Sequence, residues 1–473
     1  MLRTGRTPTR HRLTAAAAAL TCAIALGAGG CTRDDDGFRP GAADVGDPYV
    51  PGHGNGGYDV THYGLDVRYD PATDRLTGRA TIAATATQDL SRFNLDLAGL
   101  DVGAVTVGGA KADHRRDDGE LVVTPPDGLP RGRPFAVTVE YAGVPEALIG
   151  GELGSGGFLH TPDGAIALGQ PDSAATWFPV NDHPSDKASY DIAVTVPDGL
   201  SALSNGVPGP KTSADGWTTW RWSERTPMAS YLTTLVIGDY RVASGSHAGR
   251  PLVTAVAASL PATGGAARSL ERTGAVVDFL ASRFGPYPFD SYGGIVVADD
   301  RVGYALETQS RPVYGPAFFA DDRPNAGVVA HELAHQWFGD SVSLSRWGDI
   351  WLNEGFASYA EWLWEEHDGG RTAQRNFEIQ YASTDWSQPS VEPGRARMFG
   401  TAVYKRGALT VHALRRTVGD DTFFRILRSW TAERAEGNAT TADFVALAER
   451  VAGRQLRAFF DAWLVGGVAP TLP

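Results

Sequence analysis

The sequence predicts an α+β protein of two domains: an N-terminal antiparallel β-sandwich or saddle, then an α-rich half. Three observations carry this. At 473 residues the chain is too long for one ordinary core. Between Tyr58 and about Arg250 apolar and polar residues alternate in short runs, as in Tyr63-Gly-Leu-Asp-Val-Arg-Tyr69, Phe135-Ala-Val-Thr-Val-Glu-Tyr141 and Tyr190-Asp-Ile-Ala-Val-Thr-Val196. Pro-Asp-Gly turns at 126–128 and 197–199 punctuate these runs, and Asn205-Gly206 marks another turn. Beyond residue 251 the apolar period lengthens to that of helices, first over 265–284 and then over 326–339, 350–366, 401–417, 421–433, 441–452 and 456–464, with a short β segment near Ile295 to Val297. The expected division is a targeting segment at 1–31, a flexible linker at 32–57, a β-rich domain at 58–250 and a helical domain at 251–473.

The first residues read as an export signal. Arg3, Arg6, Arg10 and Arg12 precede a short apolar run from Leu13 to Gly27, too short and too Ala-rich to span a bilayer. Gly29-Gly30-Cys31 follows, and small residues before a cysteine resemble a bacterial lipoprotein cleavage box, although Ala28 stands where that box prefers Leu. Two outcomes stay open: a lipidated Cys31 on the cell surface, or a plain signal cut nearby and a secreted product. A lipid on Cys31 is the only membrane contact expected. Cys22 and Cys31 are the only cysteines, so the exported part has no internal disulfide and any metal site must use His and carboxylates. A formal net charge of -13 argues against nucleic acid as a partner.

Chemistry concentrates at residues 331–335, which read His-Glu-Leu-Ala-His. On a helix, positions i and i+4 share a face, so His331 and His335 can reach one ion while Glu332 stands beside it. Glu354, nineteen residues beyond His335, opens a second apolar helix, Trp351-Leu-Asn-Glu-Gly-Phe-Ala-Ser-Tyr359. Two antiparallel helices joined by a loop can bring it to the same ion. Two histidines and a carboxylate with a fourth position left open are the donor set of a catalytic zinc, one ion per chain. Such an ion lowers the pKa of water and polarises a carbonyl, with Glu332 as general base. Glu361 lies on the same helix face as Glu354 and could support the ligands from behind.

With these residues in place, His331-Glu-Leu-Ala-His-Gln-Trp-Phe-Gly-Asp340 and Trp351-Leu-Asn-Glu-Gly355 resemble the aminopeptidase N family of zinc peptidases. Gln170-Pro-Asp172, Trp177 to Pro184, Asn438 to Phe444 and Trp463 to Pro473 extend the resemblance through most of the chain. It implies a thermolysin-like catalytic domain behind the β-rich one, and peptides with a free N-terminus as substrates. It also implies that Glu307, in Tyr304-Ala-Leu-Glu-Thr308, binds the substrate's α-amine, with Ala305, Gln170 and Asp172 lining the same subsite. Tyr404, in Ala402-Val-Tyr-Lys-Arg-Gly-Ala408, falls on the family tyrosine that donates to the tetrahedral oxyanion. The chain departs from the pattern at Tyr304 and Thr308, which replace a glycine and an asparagine, and at Asp340, where asparagine is frequent. It also stops short of the C-terminal helical domain of longer members, so a more open site is expected. The alternatives are a zinc endopeptidase of the same class and an inactive surface binding protein.

Overall fold

The computed structural model describes residues 37–151 and 153–473. The expected export signal and Cys31 lie outside the described residues. The β-rich domain is built on a nine-stranded sheet. At its centre Tyr58–Asp70 pairs antiparallel with Arg75–Ala86, which continues to Pro134–Gly143 and Asp101–Val107. The alternating sequence of Tyr58–Asp70 becomes an alternating burial pattern: Tyr63, Leu65, Val67 and Tyr69 face the core, and Asp59, Asp66 and Arg68 face solvent. On its other edge Tyr58–Asp70 pairs parallel with Lys187–Pro197, a departure from the antiparallel expectation. These strands are distant in sequence, so no hairpin forces their direction. A four-stranded and a five-stranded sheet complete the domain.

The structure shifts two boundaries. Strand Tyr240–His247 pairs with Arg250–Ala257 and so joins a five-stranded sheet with Tyr292–Val296, Val313–Tyr314 and Ala305–Leu306. The helical half therefore starts near residue 239, about a strand earlier than residue 251. Tyr240–His247 follows strand Leu235–Gly238 after a single residue, so sequence pattern could not assign it to a different sheet. From Phe38 onward the stretch expected as a linker is packed structure. Arg39–Pro40 adds parallel to Leu90–Asp96, and Asp47, Tyr49, Val50 and Asn55 are buried. Tyr49 and Val50 bring their own apolar surface, and the buried Asp47 carboxylate finds partners. Asp47 Oδ1 accepts from Tyr49 N at 2.9 Å, and Asp47 Oδ2 accepts from Trp347 N at 2.8 Å.

Helices cover the catalytic sheet as the apolar spacing requires, including Thr273–Phe284, Ala326–His335, Trp351–His367, Gly407–Val418, Asp420–Glu433 and Thr441–Ala452. The last is closed by a capping box between Thr440 and Asp443. One further helix, Ala373–Ser383, was absent from the sequence reading because its residues are mostly polar; Thr372 caps it by accepting from Arg375 N at 3.1 Å. Three helices meet behind the site. Phe338, just past Ala326–His335, stacks on Phe356 of Trp351–His367 with ring centroids 4.6 Å apart. Trp351–His367 in turn crosses the start of Gly407–Val418 backbone to backbone at Gly355 and Gly407, where a Cβ on Gly355 would lie 2.9 Å from Gly407 Cα.

That crossing yields a prediction. Gly355→Ala forces two backbones apart beside Glu354, and overpacking of this kind costs about 1–3 kcal/mol. The expected result is a lower melting temperature in calorimetry together with weakened activity; an unchanged melting curve would mean that the crossing relaxes without strain.

Candidate metal centre and substrate cavity

Helix Ala326–His335 opens on Asn325, whose side chain accepts from Val328 N at 3.2 Å. One turn separates His331 from His335, and their ring centroids lie 4.9 Å apart. Both Nε2 atoms face Glu354 Oε2, at 3.3 Å and 3.4 Å. The three ligand atoms lie within 4.8 Å of one another, close enough to share one ion, and all three groups come from the positions expected. Each imidazole is fixed from behind. His331 Nδ1 donates to Glu361 Oε1 at 2.6 Å, and His335 Nδ1 donates to the Phe338 carbonyl at 3.0 Å. Donation from Nδ1 leaves the Nε2 lone pair as the ligand on both rings. Glu361 thus has the supporting position that its helical spacing predicted.

The electrostatics favour a cation. Burial opposes ionisation of Glu354, yet His335 and His331 outweigh it and hold its carboxyl down at about 2. His335 answers in kind: burial resists its charge, but Glu354 and Glu307 pull it up to about 9. Burial pushes Glu332 up to about 8, partly offset by His331 and His335. Glu307, Glu332, Glu354 and Glu361 all line one cavity of about 360 Å³, and no Lys or Arg lines it among the described residues. Four carboxylates faced by only two imidazoles favour a bound cation. Two imidazole nitrogens and one carboxylate fit zinc, with room left for a reacting group.

The substrate side of the cavity joins both domains. Glu307, at the end of strand Ala305–Leu306, is 2% exposed. Its Oε1 accepts from Tyr231 Oη at 2.9 Å and from Gln170 Nε2 at 3.4 Å, both from the β-rich domain. Gln336, next to His335, donates from Nε2 to the Glu307 carbonyl at 3.1 Å and accepts from Ser310 N at 2.7 Å, so the Glu307 loop is tied to the metal helix. Tyr231 and Gln336 were missed by sequence reasoning. A tyrosine in a β domain reads as core, and nothing local marks Gln336 except its place after His335. Gln170 and Ala305 line the cavity as expected. Asp172 does not: it is absent from the lining and pairs with His53 Nε2 at 3.2 Å. It lines a smaller cavity of about 60 Å³ that shares Leu153, Gln170 and Tyr304 with the first.

The departures at 304 and 308 are accommodated. Tyr304 Oη donates to the Ser155 carbonyl at 3.1 Å, drawing its ring to the cavity rim, and Thr308 Oγ1 donates to the Arg311 carbonyl at 2.7 Å inside the fold. Asp340 is fully buried. Tyr404 lies in a π-helical turn, Ala402–Arg406, and its ring stacks on His331 at 6.2 Å and 22°. Burial, with Glu354, Glu307 and Glu332 adding to it, holds the phenol well above its ordinary value, so Tyr404 remains a neutral donor.

Two outcomes are expected of the metal centre. Glu361→Gln weakens the acceptor behind His331 and should raise the zinc dissociation constant about 10- to 100-fold in chelator competition. Zinc must also displace the proton that His335 retains up to about pH 9, so affinity should fall as pH is lowered through that value, about tenfold per pH unit for each proton released. Equal affinity at pH 6 and pH 9 would contradict this assignment.

Comparison with known proteins accords with the geometry. Residues 59–232 match the Peptidase M1 N-terminal domain and residues 268–463 the Peptidase family M1 domain. Glutamyl aminopeptidase of Rattus norvegicus is 26% identical over 85% of this chain and 46% of its own length. Aminopeptidase N of Streptomyces lividans is 28% identical over 60% of this chain and 36% of its own length. The chain thus spans less than half the length of these two relatives. Aminopeptidase N of Acetobacter pasteurianus is 29% identical over 63% of this chain and 88% of its own. The crystal structure of an M1 zinc metallopeptidase from Deinococcus radiodurans superposes with a TM-score of 0.82 and 33% identity, covering 91% of this chain and 98% of that one. A two-domain M1 zinc metallopeptidase mutant bound to L-arginine matches equally well, with a TM-score of 0.82, 32% identity and 99% of that chain covered. With its two-domain architecture and with His331, His335 and Glu354 placed where they could hold a zinc ion, this chain belongs to the M1 family of zinc metallopeptidases.

Proposed function

We propose that the protein is an aminopeptidase that removes N-terminal residues from peptides. One observation carries this reading: a carboxylate oxygen of Glu307, one of Glu332 and a nitrogen of His335 lie within 4.8 Å of one another. An acidic group is therefore held beside the general base and the metal ligands, and a substrate ammonium paired with it would place the first peptide bond at the catalytic groups. Gln170 and Tyr231 hold Glu307 in place from one side, and Gln336 holds its backbone from the other.

Bound zinc supplies Lewis acidity that polarises the scissile carbonyl and makes water acidic enough to attack near neutral pH. The chain's own groups do the rest. Glu332, buried in the cavity beside the two imidazoles, takes the proton of the attacking water and returns it to the leaving amine. Tyr404 donates to the oxygen on which charge develops. Leu153, Phe318 and Val328 give the cavity apolar wall for a side chain.

Export also belongs to this proposal. The basic and apolar start of the sequence and the cysteine at 31 support delivery to the cell surface as a lipoprotein, or secretion. Incorporation of radiolabelled fatty acid that disappears in Cys31→Ser would establish the anchored form; labelling that persists would eliminate it.

Peptide assays test the activity. Glu307→Gln should lower kcat/KM on free-amine substrates by about 100-fold, the value of a buried charged hydrogen bond, and leave an N-acetylated peptide as poor a substrate as before. Equal cleavage of blocked and free peptides by the wild type would make the protein an endopeptidase instead. Glu332→Gln should reduce kcat by about 100- to 10,000-fold with its zinc content intact, which also separates a true hydrolase from a binding protein.

A further inference from the structure

Lys187 begins strand Lys187–Pro197 of the β-rich domain, but its ammonium serves the catalytic domain. Nζ donates to the Asp340 carbonyl at 2.7 Å and to the Ser341 carbonyl at 2.9 Å. These residues end the turn that follows the metal helix. The start of the same turn holds a zinc ligand, because the Phe338 carbonyl accepts from His335 Nδ1 at 3.0 Å. Backbone bonds lock the two ends together: Asp340 N donates to the His335 carbonyl at 3.0 Å and Ser341 N to the Gln336 carbonyl at 3.2 Å. Within its own domain the turn has one further side-chain tie at this carbonyl, Ser343 Oγ donating to Asp340 O at 3.0 Å.

The surroundings explain why a lysine stands here. The Asp340 side chain is 0% exposed, and neither of its carboxyl oxygens has a hydrogen-bond partner among the described residues. The two inward-facing carbonyls converge on Lys187 Nζ, which so ties the end of the turn to the neighbouring domain beside a buried acid. Nearby contacts run along the same seam: His183 Nε2 faces Asp47 Oδ2 at 3.3 Å, and Asn438 Nδ2 donates to the Pro184 carbonyl at 2.7 Å. They dock the segment that carries Lys187 but touch neither the 338–341 turn nor His335.

We propose that Lys187 is a positioning residue of the zinc centre: through the 338–341 turn it sets the Phe338 carbonyl that orients His335. The proposal rests on the metal site and is independent of which peptides are cut. Lys187→Met keeps the stem and removes the donors; Lys187→Arg keeps charge and donors. Zinc dissociation constants from chelator competition and the visible spectrum of the Co(II)-substituted protein report on the ligand sphere, both taken well below the melting temperature. Expected for Lys187→Met is zinc binding weakened about 10- to 100-fold with shifted Co(II) bands, and for Lys187→Arg a constant within about threefold of the wild type. If Lys187→Met does not fold, Lys187→Gln replaces it under the same expectation. A variant that melts earlier, yet binds zinc with unchanged affinity and shows an unchanged Co(II) spectrum, would reduce Lys187 to a general stabiliser of the domain interface and overturn the proposal.

Discussion

The burial of like charge is the constraint to which the rest of this structure responds. Glu307, Glu332 and Glu354 are all buried within one small cavity, with Glu361 at its edge. Carboxylates crowded out of water repel one another and favour protonation unless cations or donors compensate. The two imidazoles and their metal answer for Glu354, Tyr231 and Gln170 answer in part for Glu307, and Glu332 is left to exchange its proton. The two domains make this arrangement possible together: the β-rich half contributes neutral donors to an acidic site that the helical half builds, so neither half alone contains the finished cavity.

Those parts of the site that obey a local period were legible in the sequence. The spacing of His331 and His335 is a helical turn, Glu354 and Glu361 are separated by two turns of the next helix, and the alternation of Tyr58–Asp70 maps directly onto its buried face. What escaped was whatever depends on contacts remote in sequence. Tyr231 and Lys187 sit in ordinary β surroundings, and nothing local indicates that one reaches Glu307 and the other the turn beneath His335. Asp172 was equally beyond local pattern: it pairs with His53 and lines a small cavity beside the main one, a placement set by neighbours remote in sequence.

The helical half is also arranged around a single close crossing. Because Gly355 and Gly407 let two helices touch backbone to backbone, the π-helical turn just before Gly407 is brought up to the metal helix, and the Tyr404 ring comes to rest on His331. An extra residue in a helical turn re-aims the side chain it carries. His331 and Tyr404 thus share one contact, and their separation is set by helix packing and not by loop conformation.

Asp47 has a mechanical meaning as well. It lies before the first long strand of the β-rich domain, yet its carboxylate accepts from Trp347 N, in the turn that leads into the helix bearing Glu354. Tension applied at the start of the folded chain would therefore load the catalytic half through that bond, as well as the β-rich half through its sheets. The stretch from Phe38 to Gly57 thus fastens to both domains at once, through Arg39–Pro40 on strand Leu90–Asp96 and through Asp47 on Trp347.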